Sequence, residues 1–319
     1  MGFIMPDSSR VQRAAQLREA LASASPRLHP VPTPWPSLAI HGAAAALWLV
    51  LFSRAFLADN IFAWSAGLAY IAYDTLLIGF VFIQTLPLLA RKPAASPASP
   101  RPSLGVLVAA HDEVAVLPLT LRALFAQSDP ADLIVITDDG SRDGTADLLE
   151  RDFGLVSPPL GEMSAPSQID PSLRWLRLPH GGKARALNAA LLAVDTELVL
   201  TVDADTLLDP GATRAMRDAF AATPGLVAAT GVLTPVCSST PGGRFFQWFQ
   251  THEYIRNFLS RYAWGRMDAL LLISGAFAGF RRAAAVAVGG FDPAFLVEDY
   301  ELIHRIYRRA AASRRAGPR

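Results

Sequence analysis

Three polar clusters in this sequence each follow an apolar run, and each has residue types and spacing suited to a particular chemistry. The first is Asp138-Asp139-Gly140-Ser141-Arg142-Asp143-Gly144-Thr145. Two carboxylates at the end of a buried strand, followed by glycines that let the backbone turn tightly, suit the ring N–H and ribose hydroxyl donors of a nucleoside. The same residues also make an Asx turn in which Asp143 or Thr145 caps the next helix. The second cluster is Asp203-Ala204-Asp205-Thr206. Residues two apart share one face of a strand. Where the chain leaves the sheet their oxygens can converge on one hard cation, Mg²⁺ or Mn²⁺, with water and a substrate phosphate completing the shell. A solvated turn uses the same tripeptide. The third cluster, His180-Gly181-Gly182-Lys183-Ala184-Arg185-Ala186-Leu187-Asn188, holds one of only two lysines beside 27 arginines. A helix N-terminus with free backbone donors favours a phosphate, and Lys183 adds a compact positive charge. The G-x-x-x-x-G-K-[ST] loop is absent, so ATP hydrolysis of that kind has no support.

Further along, Val297-Glu298-Asp299-Tyr300-Glu301 opens a helical pattern. Acids at a helix start complement the macrodipole, and one of them is equally a candidate catalytic carboxylate. No histidine pair has metal-ligand spacing in the sequence, and His252 and His304 read as structural or surface positions on helices. No G-x-S-x-G elbow is present. The single cysteine, Cys237, excludes an intrachain disulfide, a thiolate metal cluster and a Cys-x-x-Cys pair, which points to a reducing compartment. Phe245, Phe246, Trp248, Phe249, Tyr254 and Phe258 read as packing against the core or a membrane surface, or as a sugar-stacking platform.

The elements that must position these clusters are legible as apolar runs. Strands are predicted at 104–110, 133–137, 173–178, 197–202 and 225–233, and helices near 114–127, 144–153 and 183–194. Continuous rather than alternating apolar strands separated by helices indicate an α/β fold, a mainly parallel sheet with helices on both faces. In such sheets ligands bind beyond the carboxyl ends of the strands, where the three clusters fall. Residues 154–172, rich in proline and serine, read as a surface excursion.

Composition adds a second compartment. The 319 residues are 51% hydrophobic and 18% charged, and the mean hydropathy is +0.28. Charged residues thus fall below the roughly 25% of soluble domains. A net charge of +1 gives no basic field for a nucleic-acid partner. Between 38 and 89 the only formal charges are Arg54, Asp59 and Asp74, and two spans, about 38–57 and 61–90, are each long enough to cross a bilayer. Asp74 lies within the second span, where an ionisable group is either functional or bonded to a neighbouring helix. A cleaved signal peptide fits poorly with 37 residues ahead of the apolar run. Arg10, Arg13, Arg18 and Arg27 before the spans, and Arg91, Lys92 and Arg101 after them, place both flanks in the cytoplasm. The pattern at 8–21 reads as a short surface or interfacial helix. The expected organisation is an N-terminal cytoplasmic segment at 1–36, two transmembrane helices at 37–90, a Pro/Ser-rich linker at 91–103 and a catalytic domain at 104–319.

Taken in order, VLVAAHDE, DDGSRDGT, GGKARALNAAL, TVDADT, FFQWFQTHEY, SGAFAGFRR, GGFD and VEDYE make the chain resemble the family 2 membrane glycosyltransferases. That family includes the synthases of cellulose, hyaluronan and poly-N-acetylglucosamine. The resemblance runs from about 105 to 309. It implies a GT-A fold that uses a nucleotide-sugar, usually a UDP-sugar, and inverts the anomeric centre. By the same resemblance Asp138 and Asp139 hold the uridine and ribose, Lys183 lies near the nucleotide, and Asp203 and Asp205 form the D-x-D pair with Asp205 nearest the metal. Asp299 becomes the general base, with Gln250, Glu253, Tyr254, Ser274, Gly275 and Glu298 on the acceptor side. The implied acceptor is a growing polysaccharide or a lipid-linked one at the inner (plasma) membrane, with membrane lipid and a partner subunit as further partners. Asp112-Glu113 stands where the family commonly has Asn-Glu. The Q-x-x-R-W motif and later membrane helices of processive members do not follow the E-D motif. The expectation is therefore a domain truncated at its C-terminal end, with a non-catalytic nucleotide-sugar-binding or scaffold subunit as the alternative.

Overall fold

The carboxyl edge of a six-stranded sheet organises the molecule. The computed structural model describes residues 35–57, 65–90, 101–270 and 272–316, with a few isolated positions between 12 and 23. Most of the helical pattern at 8–21, the basic residues Arg10, Arg13, Arg18 and Arg27, and most of the 91–103 linker lie outside the described residues. The strands are β1 (Leu104–Ala110), β2 (Leu133–Asp139), β3 (Leu173–Leu178), β4 (Leu198–Asp203), β5 (Ala228–Thr230) and β6 (Phe277–Arg281), ordered β3-β2-β1-β4-β6-β5. β1 pairs in parallel with both β2 and β4, so Val106 lies between Ile134 and Leu200. β3 continues the parallel set, and β6 runs antiparallel to both β4 and β5.

Helices form where apolar residues repeat at three and four positions. α3 (Leu117–Phe125) buries Leu117, Thr120, Leu121 and Leu124, and α4 (Thr145–Phe153) buries Thr145, Leu148, Leu149 and Phe153. α6 (Ala212–Ala222) buries Thr213, Met216, Arg217 and Phe220. The apolar members of these sets share one core with Val106, Val108, Ile134, Ile136 and Leu200 of the sheet. Burying each such large side chain contributes about 1.5–3 kcal/mol. α5 (Lys183–Ala193) packs against β1 and β2, and α8 (Arg282–Ala287) and α9 (Glu298–Ala316) follow β6.

Two expectations about this unit need correction, and a third gains detail. Phe277–Arg281 is a strand that its short, glycine-containing sequence did not announce. A Cβ on Gly279 would stand 2.8 and 2.9 Å from Met216 Sδ and Leu200 Cδ2, so any larger residue would displace those buried side chains. The strand predicted at 225–233 shortens to Ala228–Thr230 and ends where Gly231 passes the Phe277 ring, with no room for a side chain. Residues 154–172 lie largely at the surface, as expected, but not as a free loop. They return along β3, with Gly161 N–H donating to Arg177 O at 2.7 Å and Ser164 N–H to Trp175 O at 2.7 Å. An otherwise open sheet edge is thereby covered.

The second compact unit holds α1 (Trp35–Leu57), α2 (Ser65–Thr85), a 3₁₀ turn at Leu86–Leu89, and α7 (Pro241–Gly265). Pro241 opens α7, and Thr240 Oγ1 accepts the Gly243 N–H at 3.1 Å as its cap. α1 and α2 pack together, and α2 packs on α7. There the Phe80 and Trp264 rings lie 4.9 Å apart, and Arg266 donates to the Gln84 carbonyl at 3.0 Å. Trp35–Arg54 and Gly67–Leu89 are long and apolar enough to cross a membrane, and Leu47, Trp48, Leu76, Ile78 and Phe82 on them are exposed.

Arg217, 2% exposed, joins α6 to the start of the sheet. It donates to Pro102 O at 2.8 Å, Pro130 O at 2.7 Å and Asp132 Oδ2 at 2.8 Å. Burial opposes ionisation of Asp132, but the bonds from Arg217 and the Leu104 N–H outweigh it and hold the carboxyl below its ordinary value. A group depressed by folding stabilises fully above its ordinary value and stops doing so as pH falls through the depressed one. Asp132→Asn should therefore lower stability by about 1 kcal/mol at neutral pH, a figure discounted for the exposure of Asp132. That deficit should shrink on acidification. Thermal unfolding of both proteins across pH measures it, and a pH-independent gap would contradict the assignment.

Candidate active site

The chain order reverses between β1 and β4, since β2 and β3 lie on one side of β1 and β4 on the other. Ligands in open α/β sheets bind at such a switch point. A cleft of about 240 Å³ opens here, walled by His111, Glu113, Asp139, Lys183, Asp203 and Asp205 and floored by Ala109, Ala110 and Ala204. All three polar clusters contribute to it.

The two adjacent acids do different things. Asp138 is buried and accepts the Ser141 N–H at 2.8 Å, closing the turn after β2. Asp139 reaches the cleft, and its two oxygens accept the N–H groups of Gly181 and Gly182, each at 2.8 Å. The glycine donors at the start of α5 are thus directed to Asp139. Gly140 has φ +72°, and a Cβ there would lie 2.7 Å from the His180 nitrogen.

The loop after β1 is stitched to the loop after β2. Asp112, at φ +56°, accepts the Arg142 N–H at 2.6 Å and donates its own N–H to Ser141 Oγ at 3.0 Å. Asp143 accepts the Val114 N–H at 2.8 Å and the Thr145 hydroxyl at 2.6 Å. Burial opposes the charge of Asp143, yet these bonds outweigh it and keep the carboxyl below its ordinary value. Asp143 therefore anchors the approach to α4, while Gly144 occupies the cap position itself.

Lys183 Nζ lies 2.6 Å from Asp203 Oδ1 and 3.7 Å from Glu298 Oε1. Burial disfavours its charge, but Asp203, then Glu298 and Asp299, overcome that and raise it above the ordinary lysine value. Glu113 is also shifted upward, which for a carboxylate disfavours the anion. Burial, then the charges of Asp205, Asp143, Asp203 and Asp112, push it up. Like charges gathered this way are relieved by a cation, and Asp203 and Asp205 offer the hard oxygen donors that fit Mg²⁺ or Mn²⁺.

β6 enters antiparallel, so its start lies beside the carboxyl end of β4, with Phe277 opposite Val202. This brings Ser274 and Gly275 to the same edge. Ser274 N–H donates to Thr230 Oγ1 at 3.2 Å, and Gly275 N–H donates to Asp299 Oδ2 at 2.6 Å. Glu298 and Asp299 form the first turn of α9. Gln250, Glu253 and Tyr254 lie on α7 in the other unit and are not among the residues grouped here.

One feature escaped local spacing. His111 and His180, far apart in sequence, stack with centroids 4.2 Å apart and planes at 25°. In the tautomers protonated at Nδ1, both donate to the Asp139 carbonyl, at 2.9 and 3.1 Å. His111, Asp139 and His180 bring potential ligand atoms within 4.8 Å of one another. The sequence signal for this pair is that each histidine adjoins an element end, one after β1 and one before α5.

This fold, with an acidic cleft at its carboxyl edge and a separate apolar helical unit, defines a glycosyltransferase of the GT-A type. Residues 105–288 match the family described as Glycosyl transferase family 2, and the chain belongs to that family. The poly-beta-1,6-N-acetyl-D-glucosamine synthase of Staphylococcus epidermidis is 28% identical over 211 residues, covering 64% of this chain and 45% of the synthase. The synthase of the same name from Staphylococcus aureus (strain COL) is 29% identical over 210 residues, with the same coverage of 64% and 45%. The chain thus spans somewhat under half the length of these relatives. Among solved structures, a mannosyltransferase from Pyrobaculum calidifontis in complex with GDP-Man and Mn²⁺ aligns with a TM-score of 0.50 and 21% identity, covering 74% of this chain and 62% of its own. That likeness supports the fold.

Gly140→Ala puts a side chain into left-handed backbone and against His180. It should cost about 1–2 kcal/mol from the backbone alone and detach Gly181 and Gly182 from Asp139. Thermal unfolding together with amide hydrogen exchange at Gly181 and Gly182 measures both effects, and retention of wild-type values in each would contradict this role.

Proposed function

We propose that this glycosyltransferase transfers N-acetylglucosamine from its UDP-sugar, with inversion at the anomeric carbon, to a growing polysaccharide or lipid-linked acceptor at the cytoplasmic face of the plasma membrane. The observation that carries this reading is the convergence of Asp139, Lys183, Asp203 and Asp205 in one cleft. The Asp299 carboxylate is fixed against the Gly275 N–H in the same unit. The names of the staphylococcal synthases favour this sugar and a polysaccharide product.

In this mechanism Asp138 shapes the turn that receives the nucleoside, and Asp139 forms its wall. Lys183 faces the diphosphate, exchanging part of its contact with Asp203 for phosphate oxygens. Asp203 and Asp205 would hold the divalent cation. Bound Mg²⁺ or Mn²⁺ supplies charge stabilisation to the departing diphosphate. Asp299 takes the proton from the acceptor hydroxyl as that oxygen attacks the face opposite the leaving group. One oxygen of Asp299 is held by Gly275 N–H and the other by the Tyr300 N–H at 2.8 Å, so the carboxylate is oriented before substrate arrives. Ser274, Gly275 and Glu298 form the acceptor side within the sheet unit, while Gln250, Glu253 and Tyr254 on α7 keep the acceptor role that the family resemblance implies. The helices within 37–90 anchor the protein as a two-span hairpin, with 1–36 and the 104–319 domain in the cytoplasm. The apolar length of α1 and α2 and the basic flanks support that arrangement.

UDP release by the full, membrane-embedded chain across a panel of UDP-sugars tests this reading. One sugar, UDP-N-acetylglucosamine, should support turnover that needs Mn²⁺ or Mg²⁺ and stops with chelator. Asp205→Ala and Asp299→Asn should each lower kcat by about 100-fold or more. Turnover unaffected by either substitution would remove the mechanism. UDP binding without release under any acceptor condition would instead favour a nucleotide-sugar-binding subunit.

A further inference from the structure

We propose that Asn188 and Arg305 are positioning residues for the Asp299 carboxylate, acting through the turn at 288–291; the inference rests on Asp299 being the base. Asp299 is the second residue of α9. Residues 288–297, which connect α8 to α9, contain neither helix nor strand. A connection of that kind does not by itself fix the direction of the helix it leads into.

Two side chains from outside the connection supply that direction. Asn188, in the middle of α5, donates from Nδ2 to the Phe291 carbonyl at 2.7 Å and accepts the Phe291 N–H on Oδ1 at 2.8 Å. Its amide therefore holds both polar groups of one backbone residue, and Phe291 is further packed edge-on against Phe280 at 6.0 Å. Arg305, with 0% of its surface exposed, donates from Nη1 to the Val288 carbonyl and from Nη2 to the Gly290 carbonyl at 2.5 Å. Its Nε lies 2.7 Å from both Glu301 oxygens. Gly289 and Gly290 have φ of +92° and +64°. A Cβ on Gly290 would stand 2.3 Å from Asn188 Oδ1, so the turn closes on the amide only with glycine there.

A buried Arg–Glu pair is a weak source of stability, because desolvation offsets most of the attraction. What this pair provides is geometry. Through Glu301 and its own backbone the planar guanidinium is tied to α9, and through two carbonyls it is tied to the turn that precedes α9. Asn188 lies on the same helix as Lys183. The helix that carries the donor-side lysine and the helix that carries the base are thus referenced to one turn, and the result is the 2.6 Å contact between Gly275 N–H and Asp299 Oδ2.

The test compares Asn188→Ala, Arg305→Lys and Gly290→Ala in the full chain, with Arg305→Lys keeping the charge opposite Glu301. Three quantities are read: amide hydrogen exchange at Gly275, UDP affinity, and kcat with donor KM for UDP-N-acetylglucosamine. The expected result is loss of protection at Gly275 while β1, β2 and β4 stay protected, UDP affinity and donor KM within about 2-fold, and kcat lowered by roughly 10- to 100-fold. Unchanged exchange at Gly275 would overturn the proposal. So would protection lost equally across the sheet, or a rise in donor KM at constant kcat. Absence of turnover in the wild-type chain would count against the catalytic reading alone, since exchange at Gly275 reports the placement of Asp299 without turnover.

Discussion

The carboxylate of Asp139 is the contact on which the rest of the site depends. It ends β2, and its two oxygens take the N–H groups of two glycines more than forty residues further on. Without that acceptor the turn into α5 would leave two backbone donors facing only solvent, and nothing would fix where the helix begins. With it, α5 starts at the sheet edge and Lys183 meets Asp203 of β4. The carbonyl of the same residue gathers His111 from the end of β1 and His180 from the turn. One residue therefore ties β2 to β1 and to α5. Its charge is balanced locally by directed N–H dipoles rather than by a salt bridge with a lysine or arginine, which leaves the lysine free to serve the neighbouring carboxylates.

A second constraint is the reversal of β6. In a purely parallel sheet the residues preceding a strand lie at the edge opposite the ligand. Because β6 runs against β4, Ser274 and Gly275 arrive at the carboxyl edge instead. The backbone N–H of Gly275 is then available to Asp299, and an added Cβ on Gly275 would come within 3.1 Å of Asp299 Oδ2. Donor-side residues come from parallel strands and base-side residues from an antiparallel one, and the meeting of the two sets follows from that one change of direction.

Much of this was readable from residue patterns, and the parts that were not share a cause. β1, β2, β3 and β4 are continuous apolar runs, and burial on both faces is what a covered parallel sheet demands, so their class and nearly their limits follow from sequence. The D-x-D pair and Gly-Gly-Lys fall at predicted element ends and meet in the cleft. β6 was illegible because Gly279 interrupts its apolar pattern, and the reason for glycine, the intrusion of Met216 and Leu200, exists only in three dimensions. The His111–His180 stack and the Asn188–Phe291 clamp join residues separated by 69 and 103 positions. No local period records such pairs. Asp138 and Asp139 look equivalent in sequence, and only the turn geometry assigns one to Ser141 and the other to the glycines.

The two units also solve different solvation problems. In the sheet unit the large apolar side chains of the core are buried, and even charged Arg217 and Arg305 are inside, donating to carbonyls and carboxylates. In the helical unit the opposite holds. Trp48, Leu76, Ile78 and Phe82 are each more than 60% exposed, and Phe245, Phe246 and Trp248 on α7 reach 60% or more. Leaving one such side chain in water forgoes about 1.5–3 kcal/mol of burial, and contiguous apolar surface on this scale marks a membrane or a partner rather than a water-facing surface. α1 and α2 satisfy their own backbone hydrogen bonds, as any segment in hydrocarbon must. The sheet unit sets its buried arginines against carbonyls and carboxylates, and the helical unit presents an apolar surface suited to a membrane or a partner.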